Sequence, residues 1–177
     1  MFAYGSLIYR PGFSAAEVVV AALDGYGRRF WQGSPDHRGT PELPGRVVTL
    51  VPAPGERCLG LAYRLPADGA QQILAELDWR ERAGFERVEV ELELGQGRLS
   101  ALSYLARSDN PHYLGPASLS VVAGEIAVRR GPSGSNLDYL RQLARALRRI
   151  GVERDHVFEV ERELEGLLDQ GPPDRTT

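Results

Sequence analysis

The chain has 177 residues, 42% hydrophobic and 25% charged, with a formal net charge of -3, proportions that describe one globular domain large enough to hold its core without a metal or disulfide staple. All 21 basic residues counted as Lys+Arg are arginine, which excludes Schiff-base catalysis, a phosphate-loop lysine and a kinase lysine, and Cys58 as the only cysteine excludes an intrachain disulfide, a CxxC redox pair and a cysteine-rich metal site. No run approaches the ~18 to 20 apolar residues of a membrane span, and the acidic balance lacks the positive field of a nucleic-acid binder, so a reducing cytoplasm without membrane or nucleic-acid partners is expected.

A short apolar stretch at residues 1–4 runs into Gly5-Ser6 and is stopped by Pro11-Gly12, which reads as a strand ending in a tight loop. Residues 17–23 and 26–32, separated by Asp24-Gly25, read as a strand pair or one long bent strand. The segment 33–45 carries three prolines and three glycines, a loop long enough to suspect a role in function. Residues 46–51 and 59–65 predict strands around a Pro/Gly turn, and 68–78 predicts a helix with Ile73, Leu74 and Leu77 as its apolar stripe. Charge and apolar residue alternate through 86–94, with Val88, Val90, Leu92 and Leu94 on one face, and Gly95-Gln96-Gly97 turns this strand into a partner at 99–106. Helical period then takes over at 119–128, 137–150 and 155–168, and Gly171-Pro172-Pro173 breaks it. Strands first and helices last give an α+β domain over residues 1–170 with a flexible tail at 171–177.

Four clusters could carry chemistry. Tyr4-Gly5-Ser6-Leu7 would let a ligand approach backbone amides, and it is equally an ordinary strand-ending turn. Glu81, flanked by Arg80 and Arg82 at a helix end, is a general-base candidate or a solvated terminus. Gly131-Pro132-Ser133-Gly134-Ser135-Asn136 precedes a strong helix, where Ser or Asn would cap and free amides would attract an anion. Arg141, Arg145, Arg148 and Arg149 line one helix face, which reads as solvated. His37, His112 and His156 are scattered and form no ligand pattern, so no metal is expected. Asp36-His37 and Asp155-His156 read as loop polars.

The pieces Tyr4-Gly5-Ser6-Leu7-Ile8, Arg28-Arg29-Phe30-Trp31-Gln32-Gly33-Ser34, Asp36-His37-Arg38-Gly39, Leu77-Asp78-Trp79-Arg80-Glu81 and Gly131-Pro132-Ser133-Gly134-Ser135-Asn136 stand in one order along the chain. In them the sequence closely resembles the ChaC-type γ-glutamylcyclotransferases that act on glutathione, over about residues 1 to 165. The resemblance implies a γ-glutamylcyclotransferase-like mixed β-barrel with flanking helices. It also implies that Tyr4, Gly5, Ser6 and Leu7 hold the γ-glutamyl group, that Glu81 is the catalytic acid/base, and that neither metal nor organic cofactor takes part. Ala3 stands where that family commonly has glycine, and Phe85 replaces a frequent tyrosine.

On that resemblance the expected activity is glutathione degradation: the γ-glutamyl α-amine attacks its own γ-carbonyl, forming 5-oxoproline and releasing Cys-Gly. The alternatives are cyclisation of other γ-glutamyl peptides or amines, or a non-catalytic γ-glutamyl-binding domain. Location suggests Arg46 and Tyr139 as further substrate-holding residues, the loop 33–45 as a cover for the Cys-Gly end, and the helix start at Asn136 as a carboxylate sensor. Arg80 and Arg82 are both expected to point away from Glu81, since a cation there would lower its pKa. The assembly expected is a monomer or homodimer.

Overall fold

Two long strands, β2 (Glu17–Ser34) and β3 (Gly45–Arg64), pair antiparallel from Glu17↔Arg64 to Ser34↔Gly45. The computed structural model describes residues 1–95 and 97–169, so the tail expected at 171–177 lies outside the described residues. The two β-rich runs before residue 33 form a single strand bent at Asp24-Gly25, where Gly25 takes φ 75°. Opposite the bend Asp24 faces Arg57 while Tyr26 faces Pro52, so residues 53–56 bulge out of the ladder. Pro52 and Pro54 have no N–H to give a neighbouring strand, and Gly55 at φ 86° turns the chain back.

Strand β1 (Phe2–Ala3) adds to the outer side of β3, while β4 (Phe85–Leu94) meets β2 at Ala22↔Glu93 and pairs along its length with β5 (Gly97–Ala106). The order β1-β3-β2-β4-β5 is antiparallel throughout. The sheet curls until its edges meet through side chains. Ser103 Oγ of β5 donates to Phe2 O of β1 at 3.1 Å, and Thr49 Oγ1 takes Ala106 N at 3.0 Å. The barrel expected from the resemblance is therefore an open sheet, with side-chain bridges where a closing ladder would run.

Helices α2 (Leu119–Val128), α3 (Asn136–Arg149) and α4 (His156–Asp169) pack on one another and on the long strands, and α1 (Ala70–Arg80) links β3 to β4. Val122, Ile126, Leu140, Leu143, Leu147, Val157 and Val160 are all fully buried in the core, as the 3.6-residue spacing requires. Arg141, Arg145, Arg148 and Arg149 stay on the solvent side, where Arg148 pairs with Glu161 of α4. A two-residue hairpin, β6 (Arg130–Gly131) with β7 (Gly134–Ser135), delivers the chain into α3. Ser135 caps α3 by accepting from Asp138 N at 3.0 Å. No helix of the described residues is long and apolar enough to cross a membrane.

Candidate active site

After β1 the chain drops into a single 3₁₀ turn, Ser6–Ile8, and the carbonyls of Tyr4, Gly5, Ser6 and Leu7 all accept hydrogen bonds. Arg28 Nε donates to Tyr4 O at 2.6 Å, Ile8 N to Gly5 O at 3.0 Å, Arg10 N to Ser6 O at 2.9 Å, and Tyr63 Oη to Leu7 O at 2.8 Å. Arg28 is itself buried, donates to Leu59 O at 2.6 Å and pairs with Asp155. The amides of Gly5, Ser6 and Leu7, in contrast, donate to no acceptor among the described residues. They border a cavity of about 380 Å³ whose wall also includes Glu81, Arg38 and Tyr139. Space is tight at Gly5, where a Cβ would lie 3.2 Å from Val48 Cγ2 and so press on β3.

Glu81 follows the last residue of α1 as its C-cap, with its N–H bonded to Leu77 O at 2.9 Å. Its side chain is only 17% exposed. Burial, the main cause, holds the Glu81 carboxyl above the ordinary carboxylate range; Asp36 adds to the rise and Arg80 opposes it. The negative end of the α1 dipole acts in the same direction as burial. A carboxyl with a raised pKa in a water-poor cavity is suited to moving a proton both ways near neutral pH.

The expectation that both neighbouring arginines avoid Glu81 holds for Arg82, whose guanidinium lies 3.8 Å from the Trp79 ring centroid. It fails for Arg80. Its Nε lies 3.4 Å from Glu81 Oε1, because the same guanidinium is drawn toward the loop beside the cavity, where it donates to Ser6 Oγ at 2.9 Å and to Arg10 O at 3.1 Å. The contact with Glu81 is an ion pair with no hydrogen bond in it, and burial still outweighs it.

Tyr4, Gly5, Ser6, Leu7, Glu81 and Tyr139 all border the cavity, as expected. Tyr4 Oη donates to Tyr104 O at 2.5 Å, so its proton is committed to the fold. The Tyr139 hydroxyl accepts from Val48 N at 3.3 Å, which leaves its own proton for the cavity; burial pushes its pKa up and keeps it a donor.

Arg46 does not reach the cavity. Its guanidinium is buried, its Nε paired with Glu125 and its Nη1 bonded to Phe30 O at 2.9 Å and Gly115 O at 3.3 Å, so it is anchored inside the fold and forms no part of the cavity wall. Asn136 is likewise no carboxylate sensor: its fully buried amide clamps the Arg46 backbone, accepting from N at 2.6 Å and donating to O at 2.7 Å.

Asp36 and His37, taken from the sequence as plain loop polars, border the cavity together with Arg38 and Tyr9. The length of the 33–45 loop and its Asp36-His37-Arg38-Gly39 piece were the available signals. His156, the partner of the other pair, stands apart, 6.1 Å from the Phe30 ring centroid. The Cys58 thiol is buried and pushed up to about 11, so it is not a thiolate at neutral pH. Among the described residues no group of three His, Cys, Asp or Glu side chains is placed to hold a metal ion.

A buried carboxyl and a run of backbone amides without acceptors line one cavity on an antiparallel sheet backed by helices, which fits the γ-glutamylcyclotransferase fold. The crystal structure of the selenomethionine-labelled γ-glutamyl cyclotransferase specific to glutathione from yeast superposes with a TM-score of 0.87 at 31% identity, covering 93% of this chain and 94% of that one. The ChaC-like protein family model matches residues 1–166, and the chain belongs to that enzyme family. Among curated relatives, glutathione-specific γ-glutamylcyclotransferase 1 of Danio rerio is 39% identical over 171 residues, spanning 93% of this chain and 87% of the relative. The glutathione-specific γ-glutamylcyclotransferase of Saccharomyces cerevisiae is 32% identical over 214 residues, spanning 94% and 92%.

Proposed function

We propose that this protein degrades glutathione by cyclising its γ-glutamyl group. The glutamyl α-nitrogen attacks the γ-carbonyl carbon, a C–N bond forms, and the carbon–nitrogen bond to the cysteinyl residue breaks. The products are 5-oxoproline and Cys-Gly. The attacking amine belongs to the substrate, so a lysine-free chain with one buried cysteine lacks nothing the reaction needs. Folding the substrate into a five-membered approach is the main task, and a well-oriented intramolecular attack can supply roughly 7 to 11 kcal/mol.

Glu81 takes the proton that the α-ammonium must lose and returns one to the departing nitrogen, a role that contributes on the order of 10² to 10⁴ in rate. The amides of Gly5, Ser6 and Leu7 supply donors for the developing oxyanion or the α-carboxylate, and Tyr139 adds a hydroxyl proton. The observation that carries the reading is the Glu81 carboxyl, buried and raised in pKa, in the same cavity wall as the free amides. The reaction calls on no metal or organic cofactor, and a reducing cytoplasm, where glutathione is held as the thiol, is the fitting location.

The test is incubation of the purified protein with glutathione. Equimolar 5-oxoproline and Cys-Gly are expected, with Glu81→Gln folded and inactive. Binding without turnover by the wild-type protein would instead identify a γ-glutamyl-binding domain, and a panel of γ-glutamyl peptides and amines separates the wider substrate range.

A further inference from the structure

Three arginines are buried in this fold, and two have a carboxylate of their own: Arg28 pairs with Asp155 and Arg46 with Glu125. Arg38 is the third. It is 7% exposed, borders the cavity, and has no acidic side chain within ion-pair distance among the described residues. One nitrogen donates to Ser135 O at 3.1 Å, and the guanidinium also lies against the neutral Tyr9 hydroxyl, so among the described residues its charge is met by neutral groups. A buried charge without a counter-ion is costly to the fold, so its persistence at a cavity wall points to an anion that arrives from outside.

The backbone around Arg38 is built to hold it still. Its N–H donates to Ser34 Oγ at 3.1 Å. A Cβ on Gly45 would overlap Arg38 itself, one on Gly39 would overlap the 43–45 backbone, and one on Gly131 would overlap the His37 carbonyl, so three glycines let the loop close onto the hairpin before α3. The guanidinium carbon lies 5.5 Å from the Tyr139 ring centroid. Beside it, the Tyr9 hydroxyl is buried and meets no partner in strict hydrogen-bond geometry; burial raises its pKa, and the Arg38 guanidinium, by its charge and by a close side-chain contact, lowers it, so the two groups stand against each other. A planar cation with a buried hydroxyl against it, both on one cavity wall, suits a carboxylate.

We infer that Arg38, assisted by Tyr9, receives the terminal carboxylate of the dipeptide that leaves the γ-glutamyl group, and so selects peptides ending in a free acid over amides and simple amines. This rests on the γ-glutamyl reading of the cavity. Glu81 ends α1 beside Arg80 and Ser6, whereas Arg38 is fixed to the hairpin before α3 through Ser135 O and makes no ion pair with Glu81. The two groups are held by different parts of the wall, which suits Arg38 to the leaving dipeptide and not to the proton transfer.

The experiment compares glutathione with its glycinamide analogue, which keeps every atom of the reacting end and removes only the terminal charge. Wild-type protein should lose about 100-fold in kcat/KM on the amide, mostly through KM. Arg38→Gln should lose about as much on glutathione and then show no preference between the two, while Arg38→Lys should recover part of it. Equal rates on both substrates by the wild-type protein overturn the inference without any variant having to fold. An equal loss on both substrates in Arg38→Gln also overturns it, since that result places the side chain on the glutamyl end or in a purely structural role. Should the wild-type protein release 5-oxoproline from neither compound, the cyclisation reading fails separately. Calorimetry of the wild-type protein then decides Arg38 alone: tighter binding of the free acid than of the amide supports it, and equal or absent binding overturns it.

Discussion

The Arg80 guanidinium runs along one edge of the Glu81 carboxylate, Nε 3.4 Å from Oε1, while another of its nitrogens donates to Ser6 Oγ at 2.9 Å. One cation thus touches both the proton-transferring group and the loop whose amides face the substrate. Arg80 opposes the burial that raises the Glu81 pKa, so it sets how far that rise goes.

Replacing Arg80 by methionine should therefore raise the Glu81 pKa further. Glu81 must be ionised to accept the ammonium proton, so the acid limb of the kcat/KM profile should move to higher pH. A plateau lowered without movement of that limb would show that Arg80 acts only by holding Ser6.

The raised pKa also has a stability consequence. Below the ordinary carboxylate range Glu81 is protonated in folded and unfolded chains alike, and its burial carries no charge penalty. As pH rises through the folded value the buried side chain ionises, and stability falls relative to a neutral residue. Glu81→Gln should thus match wild type near pH 3.5 and exceed it near pH 8 by on the order of 1 kcal/mol, about 2 to 4 °C in Tm. Calorimetric melts at the two pH values measure it, and a Tm gain of equal size at both would sink the electrostatic explanation.

The elements legible in the sequence are those whose pattern is local. Residues 119–128 follow helical period and match α2, and the charge alternation from Glu86 to Leu94 matches β4. Arg46 and Asn136 were misread because their partners are 79 to 90 residues away: Glu125 and the mutual clamp between β3 and α3 exist only in three dimensions. A charged residue beside a motif looks the same in sequence whether it faces a ligand or a buried counter-ion. Arg38 is the reverse case, an arginine in an ordinary loop whose importance comes from the carboxylate it lacks.

If Arg46 is a strut of the fold, Arg46→Met should show it in stability. The change leaves Glu125 without its cation and two backbone carbonyls, Phe30 O and Gly115 O, short of a donor. Glu125 is 31% exposed, so water can meet part of the loss and the cost is about 2 to 3 kcal/mol, below that of a fully buried pair. A fall in Tm of roughly 5 to 10 °C is expected, with KM for glutathione unchanged in the folded protein. A tenfold rise in KM at unaltered Tm would return Arg46 to the substrate.

Tyr139 separates two roles of one oxygen. Its lone pair accepts from Val48 N at 3.3 Å, a contact that fixes β3 behind the cavity, while its proton is the part available to a substrate. Tyr139→Phe removes both and leaves a buried amide unsatisfied, which costs about 1 to 3 kcal/mol. The long 3.3 Å contact places the loss at the lower end. The lost donor should lower kcat/KM by about 10-fold or more, in line with a neutral hydrogen bond made to the reacting molecule. Measuring kcat/KM at a temperature well below both melting transitions keeps the two effects apart. Retention of full activity there, with Tm lowered, would confine Tyr139 to positioning β3.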